Sequence, residues 1–439
     1  MPDKHRQPWL LAFGVFLLAV PLSAPLLAAA PAAAWEDSLE REIGERVPKD
    51  LRGFYAARGN RALWLDGLGR PTPAALRLLG VMRDAEVDGV DPRKFKPDNI
   101  AKAFNKAVGG SVNDRAKAEL ALSSGFSRYV QEIREAPRSD MIYETQALGP
   151  AVPTAAAALG AVAGAPSIDA YVRDMGWMTP FYAPLRAAVV SGRLVGTRAE
   201  SAEINLARLR ALPPIPSGKW VLVDAASARL WMFEGHTIAG SMKVVVGTQK
   251  TQTPEMAGFL RYAIVNPYWN LPDNLMPSRI TDKVLAKGPG YLAAARYEVL
   301  SGWDDDAEVI DPTEVDWEAV ASGETTLRAR QLPGAGNFMG SVKFMFPNAQ
   351  GIYLHDTPER ALLAKPARQF SNGCVRLEDA QAFGKWLIGK PLPRSRKPET
   401  RVELPVMVPI YITYLTARPE KGRVAFQPDV YGRDVEKGG

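Results

Sequence analysis

The spacing of hydrophobic and polar positions changes several times along the chain. An apolar run from Trp9 to Leu27 follows Lys4, His5 and Arg6 and passes into an alanine-rich stretch ending at Ala34, ahead of Glu36 and Asp37. Basic, then apolar, then small is the order of an export signal over residues 1–34, with Ala32-Ala33-Ala34 before Trp35 as the expected cleavage point. An uncleaved single-span anchor is the alternative, because the run approaches bilayer-crossing length. On either reading the body of the protein leaves the cytoplasm.

From about residue 38 to 210, apolar positions recur every three to four residues, which predicts helices. Thr72 before Pro73 marks a helix start, Leu76, Leu79, Met82 and Ala85 form its stripe, and Gly89 with Pro92 ends it. A second helix is predicted over 113–135, with Leu122, Phe126, Val130 and Ile133 on one face. Phe54, Tyr55, Trp64, Tyr171 and Trp177 read as core. The Ala/Gly/Pro-rich stretch 149–166 reads as a loosely ordered connection, and a short helix over 202–212 runs into Pro213-Pro214-Ile215-Pro216-Ser217-Gly218. That cluster cannot propagate helix or sheet and is read as the domain boundary.

Beyond it the period becomes two. Strands are predicted at 220–224, 228–234, 237–246, 261–265, 341–346, 351–355 and 408–414, with one clear helix at 377–388. Glu234-Gly235-His236 reads as a tight turn with an exposed histidine. Residues 271–332 interrupt the pattern with too little alternation for a sheet, and an insertion of that length is usually functional. Its run Asp304-Asp305-Asp306 fails as a calcium loop, because Val309 stands where the required glycine would be. The expected fold class is α+β multidomain: a helical domain over 35–212, then a mostly antiparallel β-sandwich-like domain over 217–439 with the insertion at 271–332.

Composition sharpens this. The 439 residues are 46% hydrophobic and 23% charged, which excludes collagen-like, disordered and multi-span membrane classes. The net charge of +6 becomes +5 once Lys4, Arg6 and Asp3 leave with the export segment. That mild, dispersed excess suits anionic cell-surface polymers and does not indicate nucleic acid. Cys374 is the single cysteine, and the histidines are His5, His236 and His355. A disulfide framework and a Cys/His zinc site are both excluded.

Cys374 lies in Phe370-Ser371-Asn372-Gly373-Cys374-Val375-Arg376, read here as the turn immediately before the 377–388 helix. The positive end of a helix dipole would favour thiolate there, and N–H groups of the first turn, with that of Gly373 or Cys374, would form an oxyanion hole. His355 ends a short strand nineteen positions earlier, where it can meet the thiol and act as base. The rival reading is a buried cysteine and a structural histidine. Against it stand the Ser, Asn and Gly neighbours and the vulnerability of a free thiol in an oxidising compartment.

Ile352-Tyr353-Leu354-His355-Asp356-Thr357, a gap of fifteen residues after the histidine, and Ser371-Asn372-Gly373-Cys374-Val375-Arg376 resemble the signature of the YkuD-type L,D-transpeptidase catalytic domain. Val246-Gly247-Thr248 with Gln252-Thr253-Pro254, Asn266-Pro267-Tyr268-Trp269-Asn270, Leu332-Pro333-Gly334 and the tail Pro428-Asp429-Val430-Tyr431-Gly432-Arg433-Asp434 narrow the resemblance to the large scaffold-bearing members of Gram-negative bacteria. Two departures stand out. Asn372 occupies a position where many relatives have histidine. Only residues 193–200 lie where relatives usually carry a small peptidoglycan-binding module.

The resemblance implies a periplasmic enzyme of cell wall biogenesis, associated with the inner membrane if the export segment is retained. Its partners would be peptidoglycan stem peptides: a tetrapeptide donor and a diaminopimelate amine acceptor. Cys374 would attack the donor, D-alanine would leave protonated by His355, and the thioester would pass to the amine, chemistry that needs no metal or organic cofactor. Ser371, Asn372 and Gly373 would shape the oxyanion box. Arg376 would hold a stem carboxylate or brace the loop, and Tyr353 and Trp269 would be cleft walls or core. The group orienting His355 stays open between the Asp356 carboxylate and a backbone carbonyl, the resemblance favouring the carbonyl. Residues 271–332 resemble the lid of relatives. Hydrolysis as an L,D-carboxypeptidase, attachment of a protein to the wall, and a non-catalytic wall-binding scaffold are the alternatives.

Overall fold

The computed structural model describes residues 32–135, 139–213, 218–304 and 306–434. Residues 1–31 of the expected export segment, and residues 214–217 of the proline-rich boundary, lie outside them. Among the described residues no helix is long and apolar enough to cross a membrane.

The N-terminal half is helical: α1 (Ala32–Arg46), α2 (Arg52–Ala57), α3 (Pro73–Arg83), α4 (Pro97–Ala107), α5 (Val112–Arg134), α6 (Ala155–Ala163), α7 (Ile168–Arg173), α8 (Tyr182–Val190) and α9 (Thr197–Arg210). Local chemistry sets the starts. The Thr72 side chain accepts the N–H of Ala75 at the head of α3, and Ser111 with Asp114 makes a reciprocal capping box on α5. The stripe of α3 differs from expectation at two positions: Leu76 is exposed where Leu78 is buried with Leu79 and Met82, and the buried Ala85 lies beyond the helix end in a short 3-10 turn. The stretch 149–166 is not a loose connection either. Thr154 caps α6, whose Ala158, Leu159 and Val162 are buried, because an alanine run is a strong helix former once its start is capped.

Two buried acids organise this half. Glu119 accepts from the N–H groups of Leu63 and Trp64 and from the Tyr55 hydroxyl. Asp88 is ion-paired with Arg186 and takes the hydroxyls of Tyr129 and Tyr182, each at 2.8 Å.

The sheet elements are β1 (Ile142–Tyr143), β2 (Lys219–Asp224), β3 (Arg229–Glu234), β4 (Thr237–Gly247) and β5 (Met256–Val265), then β6 (Trp269–Asn270) just ahead of the insertion and β7 (Tyr297–Leu300), β8 (Val309–Ile310) and β9 (Arg328–Gln331) within it. After it come β10 (Val342–Met345), β11 (Leu354–His355), β12 (Gln369–Ser371), β13 (Val375–Leu377), β14 (Thr400–Thr413), β15 (Ala417–Glu420) and β16 (Arg423–Phe426). The main sheet runs β5-β10-β11-β13-β4-β3-β2-β14, and β14 pairs again with β5, so it closes on itself around an apolar interior. The α+β organisation read from the sequence is the observed one.

β2 and β3 are buried on both faces. Val221, Val223 and Leu230 point into the ring, whereas Trp220, Leu222, Trp231 and Phe233 join the core of the helical half. Trp220 stacks on Phe233 with ring centroids 4.0 Å apart, and Phe181 meets Trp231 edge-on at 5.2 Å. One hydrophobic core therefore spans both halves.

The insertion is built differently from expectation. With β6 just ahead of it, it forms a four-stranded sheet in the order β6-β9-β7-β8, joined by α10 (Asp282–Lys287), α11 (Gly290–Ala294) and α12 (Trp317–Ser322) around a separate apolar core. Strands of two to four residues are too short for alternation to register.

Candidate active site

The last helix, α13 (Ala380–Ile388), starts later than expected, behind a cap in which Asp379 accepts the N–H of Ala382 at 2.8 Å. Residues 375–377 form β13 instead, paired parallel to β11 and antiparallel to β4. Cys374 thus precedes a strand and not a helix, so no helix dipole stabilises its thiolate. Protein packed around the sulfur pushes the thiol up to about 11, although the residue as a whole keeps some surface.

Register brings the histidine to the cysteine. Leu354 pairs with Val375 and His355 with Arg376, and Leu354 and Val375 are core. Side chains alternate, so Tyr353, His355, Cys374 and Arg376 share the opposite face of two neighbouring strands. The Tyr353 ring lies 6.0 Å from that of His355, and its hydroxyl and backbone N–H both reach the Cys374 sulfur. The thiol also lies 3.6 Å from the Gly351 carbonyl.

His355 is 2% exposed, and its Nδ1 sits 2.6 Å from the Asp356 carbonyl oxygen. Nδ1–H must donate there, which leaves Nε2 as the basic nitrogen. Burial first, and the Arg376 charge second, hold the imidazole down to about 3, so it rests neutral. The Asp356 carboxylate is engaged elsewhere, by the N–H and hydroxyl of Ser341 and by Arg360. Of the two orienting groups left open by the sequence, the backbone carbonyl is the one in contact.

Residues 218–404 match the family model of the L,D-transpeptidase catalytic domain, YkuD, and residues 49–189 match that of the scaffold domain. Residues 218–404 are a YkuD L,D-transpeptidase catalytic domain. A Haemophilus influenzae protein provisionally named an L,D-transpeptidase is 28% identical over 417 residues, 90% of this chain and 81% of its own. Two solved structures are more distant: an L,D-transpeptidase from Mycobacterium smegmatis, 11% identical with a TM-score of 0.23, and the Ldtfm–avibactam carbamoyl enzyme, 12% identical with the same score. The match covers 46% of this chain in both cases, and 60% and 51% of theirs.

The remaining candidate residues of the YkuD domain fall into three settings. Ser371 ties the turn together, its hydroxyl donating to the Cys374 carbonyl at 2.6 Å and accepting the Gly373 N–H at 3.1 Å. That bond removes the Gly373 N–H from the oxyanion role expected of it, and the N–H of Cys374 is left without a partner among the described residues. Asn372 is exposed at the tip, and Gly373 has φ of +117°, a region that only glycine adopts without strain. Arg376 is ion-paired with Glu359, while its Nε has no partner among the described residues. Trp269 is 6% exposed and packs on Phe338 and Tyr297 inside the insertion core, with Tyr353 against the edge of the same cluster.

Sequence reasoning passed over Thr253. Its hydroxyl donates to the Gly373 carbonyl at 2.7 Å. The run Gln252-Thr253-Pro254 carried the family resemblance but gave no sign of what the threonine touches.

Proposed function

We propose that this protein is a peptidoglycan L,D-transpeptidase that joins diaminopimelate residues of neighbouring stem peptides through a thioester on Cys374. The observation that carries the reading is the placement of the Cys374 thiol and the His355 ring on one face of paired strands, with Nδ1 bonded to the Asp356 carbonyl and Nε2 free to take a proton. The resting pair is neutral, so the proton leaves sulfur for Nε2 as the sulfur–carbon bond forms. The carbonyl carbon is that of the L-centre of diaminopimelate in a tetrapeptide. Charge on its oxygen is met by the Cys374 N–H and by the Tyr353 hydroxyl. The carbon–nitrogen bond to D-alanine then breaks, His355 returns the proton to the leaving amine, and a thioester remains.

In the second half His355 takes a proton from the acceptor amine as its nitrogen attacks the thioester carbon; the carbon–sulfur bond breaks, a new amide forms, and Nε2 gives the proton to the leaving sulfur, regenerating the thiol. Insertion 271–332 acts as a lid over the donor side, excluding water and favouring amine over hydrolysis. Family membership supports a cell-wall substrate and cell-wall association. Export into the periplasm follows from the sequence of residues 1–34.

Two measurements test this. A carbapenem should add its full mass to wild type and nothing to Cys374→Ala. Incubation with tetrapeptide-rich peptidoglycan should give dimers joined diaminopimelate to diaminopimelate. Tripeptides without dimers would instead make water the acceptor, and the absence of both adduct and product would refute the enzyme reading.

A further inference from the structure

We propose that Thr253 is a positioning residue: its hydroxyl fixes which way the Gly373–Cys374 peptide faces and so aims the Cys374 N–H at the oxygen of the acylating carbonyl. The inference rests on Cys374 being the nucleophile. Thr253 is 0% exposed, and its hydroxyl accepts the Gly247 N–H at 2.9 Å while donating to the Gly373 carbonyl at 2.7 Å. In a trans peptide the C=O and N–H point to opposite sides. Holding the Gly373 carbonyl against the Thr253 hydroxyl therefore turns the Cys374 N–H to the side opposite that hydroxyl.

The turn cannot hold this orientation by itself. Gly373 lies at φ of +117° with no side chain to restrict it, and glycine rotates through conformations closed to other residues. Ser371 fixes the Gly373 N–H and the Cys374 carbonyl, one on each side of the peptide in question, but neither of that peptide's own polar groups. Among the described residues the only side-chain contact on that peptide's carbonyl is Thr253, and its N–H, like that of Asn372 at the tip, has no partner.

Thr253 is braced from behind by the C-terminal segment. The Tyr431 hydroxyl donates to the Gly247 carbonyl at 2.7 Å and lies 3.4 Å from the Thr253 N–H. Arg433 sets Nε and Nη2 on Gln252 Oε1 at 3.0 and 2.7 Å and Nη2 on the Thr253 carbonyl at 3.2 Å. Tyr431 stacks on Tyr414 at 5.0 Å and donates its backbone N–H to that hydroxyl at 2.9 Å. Tyr431 is thus a second positioning residue, one bond further from the peptide.

The test compares two reactions of one sulfur in the full chain. Acylation by a carbapenem develops an oxyanion, whereas alkylation by iodoacetamide displaces iodide at a saturated carbon and develops none; both rates are read by intact mass. Thr253→Val should slow acylation by about 10- to 100-fold, below the roughly 100- to 1,000-fold of deleting an oxyanion donor outright, with alkylation unchanged within about twofold. Thr253→Ser should restore acylation to near wild type. If Thr253→Val does not fold, Tyr431→Phe removes one oxygen and should give the same split with a smaller drop. Acylation at the wild-type rate in the folded variants, or an equal fall in both reactions, overturns the proposal. A wild-type protein that alkylates at Cys374 but never acylates overturns the proposed function itself, which is a distinguishable result.

Discussion

Cys374 should react sluggishly at neutral pH and keep gaining reactivity well into the alkaline range, by an amount that can be worked out. With the thiol at about 11, roughly one molecule in 10,000 carries a thiolate at pH 7, against roughly 3% for a free cysteine near 8.5. The deficit is about 300-fold. A more basic thiolate is also more nucleophilic, and a Brønsted slope of about 0.4–0.5 over those 2.5 units returns roughly 10- to 18-fold. Cys374 should therefore alkylate with iodoacetamide about 20-fold more slowly than a free cysteine peptide at pH 7. His355, held near 3, should add no inflection in the neutral range. The logarithm of the rate should climb about one unit per pH unit from 6 to 10, followed by intact mass on wild type with Cys374→Ala as the blank. A plateau reached below pH 8 would mean a resting thiolate–imidazolium pair and would refute the neutral-pair reasoning.

Three further outcomes are expected. Because the folded value of His355 lies below that of the unfolded chain, its contribution to stability is complete above about pH 6.5 and is lost as the pH falls toward 3. Between pH 7.5 and 5 it should cost about 2 kcal/mol in urea unfolding, and His355→Gln should lack that component; an unchanged pH slope in the variant would contradict it. Asp88→Ala leaves the buried Arg186 guanidinium without its carboxylate and should destabilise by about 3–5 kcal/mol, while Arg186→Lys, which keeps a charge but loses the fork, should cost less. Trp220→Ala should cost about 3–5 kcal/mol and lower the midpoint seen by helical and β-sheet probes together. Separate shifts would show that the halves unfold independently.

The division into a helical and a β-rich half was legible because it is a change of period, three-to-four before residue 213 and two after 218. What misled was chemistry overruled by length or pairing. The alanines of 155–163 read as a linker because alanine, glycine and proline together suggest disorder, yet one threonine cap was enough to start a helix. The β13 strand was hidden because Val375 and Leu377 continue backwards into the apolar pattern of α13, and only pairing with β4 and β11 distinguishes them. That error carried over into the site, where it supplied a helix dipole that is not there. The scarcity of cysteine and histidine pointed to the same two side chains that the strand register places on one face. The Thr253 contact was out of reach, because it joins positions 120 residues apart through a hydroxyl that sequence periodicity does not register.

The two family models leave a gap between residues 189 and 218, where a protein engineer would cut. Phe181 and Tyr182 on one side of that gap, and Trp220, Trp231 and Phe233 on the other, belong to the same apolar cluster. A catalytic fragment begun at 218 would turn that wall outward, a sticky sheet face with nothing to cover it. The two pieces match separate family models but share one hydrophobic core. Inhibitor screens and domain swaps on this protein are therefore best made with both halves present.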